Sequence, residues 1–191
     1  MCPNLMSARG FHLVEMVSAK RTAGKLVLIN FLYRMLKKLV AVFFNILNLL
    51  LAGNLPPLGG VCVIVEDQKK YLLVERPEGG YVFPGGFMRW QEHPTQTALR
   101  ECLEETGLRL QIHMLIGCSS NRSDHITCMS TLTVIYLAEA VDGKLKNSIE
   151  GQACWVPEAD VLKVLQPQQK GIFEHFLRYR EQLEQVPRFQ A

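Results

Sequence analysis

The residues able to do chemistry crowd into one stretch of this chain: Glu92, then Arg100 and Glu101, then Glu104 and Glu105, with Pro84, Gly85 and Gly86 just ahead of them. At about 100° of rotation per residue, Ala98, Leu99 and Cys102 fall on one side of a helix, and Glu101, Glu104 and Glu105 share the other. Three carboxylates within a single turn repel one another, so a fold that gathers them loses stability unless a cation neutralises the group. A hard divalent ion suits them. Mg2+ takes oxygen ligands, keeps several waters and bridges carboxylates to substrate phosphates, which is what cleavage of a diphosphate needs. In such cleavage metal ions neutralise the phosphate oxygens, a positioned water attacks, and a carboxylate takes its proton. Pro84-Gly85-Gly86 reads as a turn whose backbone comes close to a ligand.

The elements that must position these residues can be read on either side. A helix is expected from Pro94 to Thr106, with proline at its opening position, Gly107 just past its end and His93 at its N-cap. Strands are expected at Gly60–Glu66, Tyr71–Glu75, Leu108–Gly117, Ile126–Ala138 and Ala153–Val156. Further helices are expected at Glu158–Val164 and Lys170–Glu184, the second carrying Ile172, Phe173, Phe176 and Leu177 at helical spacing. Strands of mixed direction covered by helices make an α/β sandwich. The chain divides near Asn54-Leu55-Pro56-Pro57, where paired prolines end any incoming helix, giving an N-terminal segment 1–55 and a domain 56–191.

The stretch from Gly86 to Leu108 resembles the Nudix box, G-x5-E-x7-R-E-U-x-E-E-x-G-U, where U is aliphatic; Cys102 stands at one of the aliphatic positions. The resemblance implies a Nudix-type α/β/α sandwich with a mixed sheet, and a magnesium-dependent hydrolase of phosphoanhydride bonds in a nucleoside diphosphate linked to another moiety. It also implies Mg2+, with Mn2+ as a possible substitute, bound by Glu101, Glu105 and the Gly86 carbonyl, with Glu104 as a further ligand or the general base; Glu101 is the other candidate base. Arg100 would orient the carboxylates, and Glu92 would brace the loop to the helix or bind an additional ion. Arg76, Tyr81 and Phe83 lie in a segment similar to the family's lead-in to the box, where substrate contacts are made, and Glu150 is a candidate extra ligand from a later loop. Trp90 either stacks on a base or packs against the core, packing being the favoured reading. The other reading is a catalytically silent nucleotide-binding sensor of the same fold; the complete set of box glutamates favours catalysis. Where some subfamilies carry a distinguishing proline or tyrosine beyond the box, this chain has Ser123, Asp124, His125 and Ile126.

Composition sets the bounds. With 48% hydrophobic and 20% charged residues in 191, the chain suits a packed globule, and a net charge of +3 without a basic stripe gives no reason to expect specific nucleic-acid binding. Its six cysteines, Cys2, Cys62, Cys102, Cys118, Cys128 and Cys154, lack metal-binding spacing and are expected to be thiols. Residues 26–52 are almost continuously apolar. On a helical wheel, Asn30, Arg34, Lys37, Lys38, Asn45 and Asn48 fall in one stripe about 100° wide. Such a helix, or helical hairpin broken at Lys37-Lys38, suits the cytoplasmic face of a membrane with the cationic stripe toward anionic head groups. A span would be short, and Lys20, Arg21 and Lys25 together with the stripe cations would keep the N-terminus in the cytoplasm. Packing on the hydrolase domain or in a homodimer is the alternative to a membrane.

Overall fold

The fold was analysed in a computed structural model, which describes Leu28, Phe31, Leu32 and residues 34–185. Cys2, Lys20, Arg21, Lys25 and Asn30 lie outside the described residues. The described chain separates into two compact units, one reaching Leu55 and including Asp124–Cys128, the other holding the rest.

The second unit is built on one long strand. β1 (Leu58–Asp67) runs parallel to β6 (Thr131–Gly143), with Leu58 opposite Thr131 and Val65 opposite Ala138. All of Val61 to Val65 is buried, because helices cover both faces of the strand. Cys62 and Ile64 point into one core with Tyr71, Phe83, Phe173 and Phe176, while Val61, Val63 and Val65 point into another with Ala98, Cys102 and Leu110. Each fully buried valine or isoleucine here contributes roughly 1.5–3 kcal/mol of apolar transfer.

The other strands extend this framework. β2 (Lys70–Glu75) returns antiparallel from β1 through Gln68 and Lys69, both with positive φ, 47° and 60°, as a two-residue hairpin turn requires. β3 (Tyr81–Val82) and β7 (Gln152–Pro157) flank β2, β4 (Gly85–Phe87) pairs with β1, and β5 (Leu108–Asn121) pairs antiparallel with β6. The helices are α2 (Pro94–Thr106) on one face, and α3 (Glu158–Val164) and α4 (Pro167–Gln185) on the other. This is the expected α/β/α sandwich with a mixed sheet.

Several boundaries differ from the sequence expectation. The strand expected at Ile126–Ala138 begins instead at Thr131 and continues to Gly143, because Ile126 lies in a turn whose carbonyl is taken by another unit-mate, the Asn45 side chain. β5 runs on to Asn121, paired to its end with β6, and α4 starts at Pro167, since proline is tolerated in a first turn. The short strands β3 and β4 had no periodicity long enough to be seen.

In the first unit, residues 34–50 form helix α1. The helix ends where Ala52 and Gly53 take positive φ and the Gly53 N–H donates to the Asn48 carbonyl at 2.8 Å. Asn45 Nδ2 donates to the carbonyls of Ile126 and Cys128 at 2.8 and 2.7 Å, and Asn48 Oδ1 accepts from the Leu55 N–H at 3.1 Å. Two members of the expected polar stripe are thus engaged with backbone of their own unit. Leu39, Phe43, Ile46, Leu49 and Leu50 are exposed. No helix among the described residues is long and apolar enough to cross a membrane.

Candidate active site

Helix α2 is fixed at both ends by its own sequence. His93 caps it: the imidazole accepts from the Thr95 N–H and the Gln96 side chain accepts from the His93 N–H at 2.9 Å, with Pro94 following. Gly107 closes it in the left-handed conformation, φ 78°, and its N–H donates to the Leu103 carbonyl at 3.1 Å. The buried line on the helix is Thr97, Ala98, Cys102, Glu105 and Thr106. Leu99, expected with them, is 40% exposed, and Glu105, expected on the acidic outer face, has taken the inward place because Arg76 meets it there.

Glu105 is the most enclosed of the carboxylates, with 3% of its side chain exposed. Its Oε1 accepts from Arg76 Nη2 at 2.7 Å and its Oε2 from the Gly85 N–H at 3.0 Å. Burial pushes its carboxyl up to about 7, against the pull of the Arg76 cation and the Gly85 N–H. Arg76 also donates through Nη1 to Glu150 Oε2 at 2.7 Å and to the Glu150 carbonyl at 3.1 Å. Burial opposes its charge, yet the two carboxylates outweigh that and hold the guanidinium charged.

A second arginine organises the others. Arg100 Nε and Nη2 grip Glu92 in a two-pronged pair at 2.7 and 2.8 Å, and Nη1 reaches Glu101 at 2.6 Å and Glu104 at 3.3 Å. Its Nη2 also donates to the Phe87 carbonyl at 3.2 Å. Glu92 further accepts from the Arg89 N–H and the Thr97 hydroxyl, each at 2.9 Å. The Arg100 hydrogen bonds, followed by the Arg89 N–H, bring the Glu92 carboxyl down to about 2. Glu104 is half exposed and is also approached by Arg89 Nη2 at 3.2 Å.

β4 supplies the floor. Gly86 lies opposite Val61 in the β1–β4 pairing, and a Cβ on it would sit 2.6 Å from Glu101 Oε1, so only glycine lets this carboxylate rest against the strand. Glu101 and Glu105 are one helical turn apart on α2; Glu101 rests against Gly86 and shares Arg100 with Glu104, while Glu105 is held by Arg76 and the Gly85 N–H. The expected repulsion between the carboxylates is relieved here by Arg76, Arg89 and Arg100. Among the described residues no three acidic, imidazole or thiol side chains converge as a closed ligand set.

The remaining sequence expectations distribute unevenly. Phe83 is 2% exposed and packs against Phe173 in the core, with centroids 5.8 Å apart, so its expected role at a substrate surface is corrected to packing. Tyr81 is half-buried in β3 opposite Glu75. Arg76, expected to meet a phosphate, is turned inward to Glu105 and Glu150. Trp90, favoured as a packing residue, is 90% exposed because the β4–α2 turn lifts it away from the sheet. Sequence reasoning missed Arg89, Thr97 and the Gly85 N–H as partners of the carboxylates; only their closeness to the box in the chain hinted at it. A recess of about 550 Å³ lined by Lys69, Glu158, Leu162, Phe173 and Leu177 belongs to the α3–α4 side of the sheet and not to this cluster.

Known proteins share this arrangement. The family model described as NUDIX domain matches residues 56–176. Over 130 residues the chain is 25% identical to the ADP-ribose pyrophosphatase of Methanocaldococcus jannaschii, a match taking in 66% of this chain and 76% of that protein. Over 110 residues it is 34% identical to diphosphoinositol polyphosphate phosphohydrolase 3-alpha of Homo sapiens, taking in 56% of this chain and 66% of the relative. The solved structure of the MutT protein from Bacillus halodurans superposes with a TM-score of 0.54 at 30% identity, over 63% of this chain and 82% of that one. This chain therefore belongs to the NUDIX family and is a pyrophosphohydrolase of the Nudix type, acting on phosphoanhydride bonds.

Proposed function

We propose that the chain hydrolyses the phosphoanhydride bond of a nucleoside diphosphate linked to another moiety, with Mg2+ as its metal and Mn2+ as a substitute. The observation that carries this reading is that one guanidinium, Arg100, pairs with both Glu101 and Glu104 where Glu101 rests against Gly86, one turn of α2 from Glu105 and its partner Arg76. Mg2+, when bound, neutralises phosphate oxygens and makes a water easier to deprotonate. Glu101 and Glu105 are its ligands together with the Gly86 carbonyl, and Glu104 is a ligand or the base. Of the two candidate bases, Glu104 is favoured over Glu101 by exposure, 50% against 14% for the side chains, since a base must reach water. In the reaction the water oxygen forms a bond to phosphorus, the bridging P–O bond breaks with its electrons on the leaving phosphate, and the water proton passes to the glutamate.

The arginines position rather than react. Arg100 holds Glu101 and Glu104 in register, and Glu92 holds Arg100, the bracing role. Arg76 anchors Glu105, with Glu150 as its counter-charge. Tyr81 remains a substrate-side residue by virtue of its partial exposure. The names of the relatives divide between a substrate with a nucleobase, ADP-ribose, and one without, a diphosphoinositol polyphosphate. Assay of the purified chain with Mg2+ against nucleoside triphosphates, nucleotide sugars, ADP-ribose, dinucleotides, coenzyme A and a diphosphoinositol polyphosphate tests the reading. Release of a nucleoside monophosphate is the expected outcome; turnover of the inositol compound alone would overturn it.

Residues 1–55 act as a separate segment ahead of the hydrolase domain 56–191. Its α1 meets an anionic lipid surface on the cytoplasmic side, a reading supported by exposed Leu39, Phe43, Leu49 and Leu50 on the same helix as Arg34 and Lys38.

A further inference from the structure

We propose that the Trp90 indole is the stacking platform for the nucleobase of the substrate, making the turn between β4 and α2 the place where nucleoside-bearing diphosphates are selected. This rests on the functional reading above and deepens it. At 90% exposure Trp90 is the most exposed large hydrophobic side chain among the described residues. A bare indole of this size gains by being covered, and its flat face suits a planar aromatic ring.

The backbone of the turn that carries it is hydrogen-bonded internally and tied to the carboxylates. The Glu92 N–H donates to the Arg89 carbonyl at 3.0 Å, and the Arg89 N–H donates back to Glu92 Oε2 at 2.9 Å. Gln91 sits at φ 63°, a left-handed conformation unusual for a non-glycine residue, and it is held there by those bonds. Glu92 is gripped by Arg100 and Thr97, and Arg89 pairs with Glu104 at 3.2 Å. The residues on both sides of Trp90 thus belong to the network that holds the reacting carboxylates, which fixes the backbone from which the ring projects. Pre-ordering of this kind lowers the cost of capturing a ligand. Of the two aromatics expected to serve the substrate, Phe83 is buried in the core and Tyr81 is half-buried in β3, so neither offers an open ring face comparable to that of Trp90.

The test is steady-state kinetics of the full chain with Mg2+ on ADP-ribose and other nucleotide sugars, for the wild type, Trp90→Ala and Trp90→Phe. Inorganic pyrophosphate, which has no ring, serves as a competitive inhibitor in the same assays. Loss of one stacked base is expected to raise KM about tenfold or more in Trp90→Ala. The turnover number stays within about twofold, Trp90→Phe recovers most of the loss, and the inhibition constant of pyrophosphate does not move. An unchanged KM in Trp90→Ala, or a parallel rise in the pyrophosphate constant, overturns the proposal while leaving the hydrolase reading intact. A wild-type chain that cleaves no nucleotide removes both.

Discussion

At the scale of single residues, the site is a problem of charge compensation. Glu105 lies in the protein interior with its carboxyl raised by burial, and Arg76 and the Gly85 N–H are what make its presence there tolerable. Replacing it by Gln keeps the shape and removes the charge that a metal ion needs. Glu105→Gln is therefore expected to lower turnover by several orders of magnitude, with an unaltered near-ultraviolet circular dichroism spectrum; activity equal to the wild type would remove Glu105 from the metal site. The identity of these carboxylates was legible in the sequence, because their offsets from Gly86 and Arg100 are fixed along one helix. Their pairings were not: Arg76 and Glu150 were singled out for a substrate contact and as an extra ligand, and Arg76 comes to bridge Glu105 and Glu150 only after β2, α2 and the approach to β7 have packed.

Among the elements, α2 announced both of its ends through His93, Pro94 and Gly107, since capping is local chemistry. β3 and β4 escaped notice because two or three residues carry no period, and their existence is owed to pairing with β2 and β1. The β4–α2 contact is tight enough to be tested. Gly86→Ala would drive a methyl into Glu101, displacing its carboxylate, and a displacement of about 1 Å is expected to cost about a hundredfold in rate. An Ala variant as active as the wild type would separate Gly86 from the reaction. On the other face, α3 and α4 are joined through Glu158, which accepts from Arg180 at 2.8 and 2.9 Å and from the Tyr71 hydroxyl at 3.0 Å. The Arg180 hydrogen bonds lower the Glu158 carboxyl below its ordinary 4.5. Its contribution to stability is therefore present above pH 4.5 and is lost as pH falls through the folded value. Glu158→Gln should unfold at lower urea than the wild type at pH 7, with the difference closing in strong acid; a constant difference across pH would contradict this.

For the molecule as a whole, the apolar segment ahead of Pro56 could be recognised as distinct, but not how its stripe is used. Asn45 and Asn48 turn out to serve backbone groups of their own unit, which no wheel diagram reveals. The lipid reading proposed above predicts that the chain co-sediments with phosphatidylserine vesicles and that the same chain carrying Leu39→Glu, Phe43→Glu and Leu50→Glu does not, while its hydrolase activity persists. Equal sedimentation of the two would end the lipid reading.

The two cores on either side of β1 each contain a thiol. Cys62 lies in one and Cys102 in the other; burial raises both, the latter to about 11, whereas Cys118 and Cys128 are exposed. Pulsed alkylation read by mass spectrometry should mark Cys118 and Cys128 at once and the inner pair only when a layer opens. If the helical layers peel away separately, Cys62 and Cys102 will acquire label at different rates, and equal rates would mean that the sandwich opens in a single event.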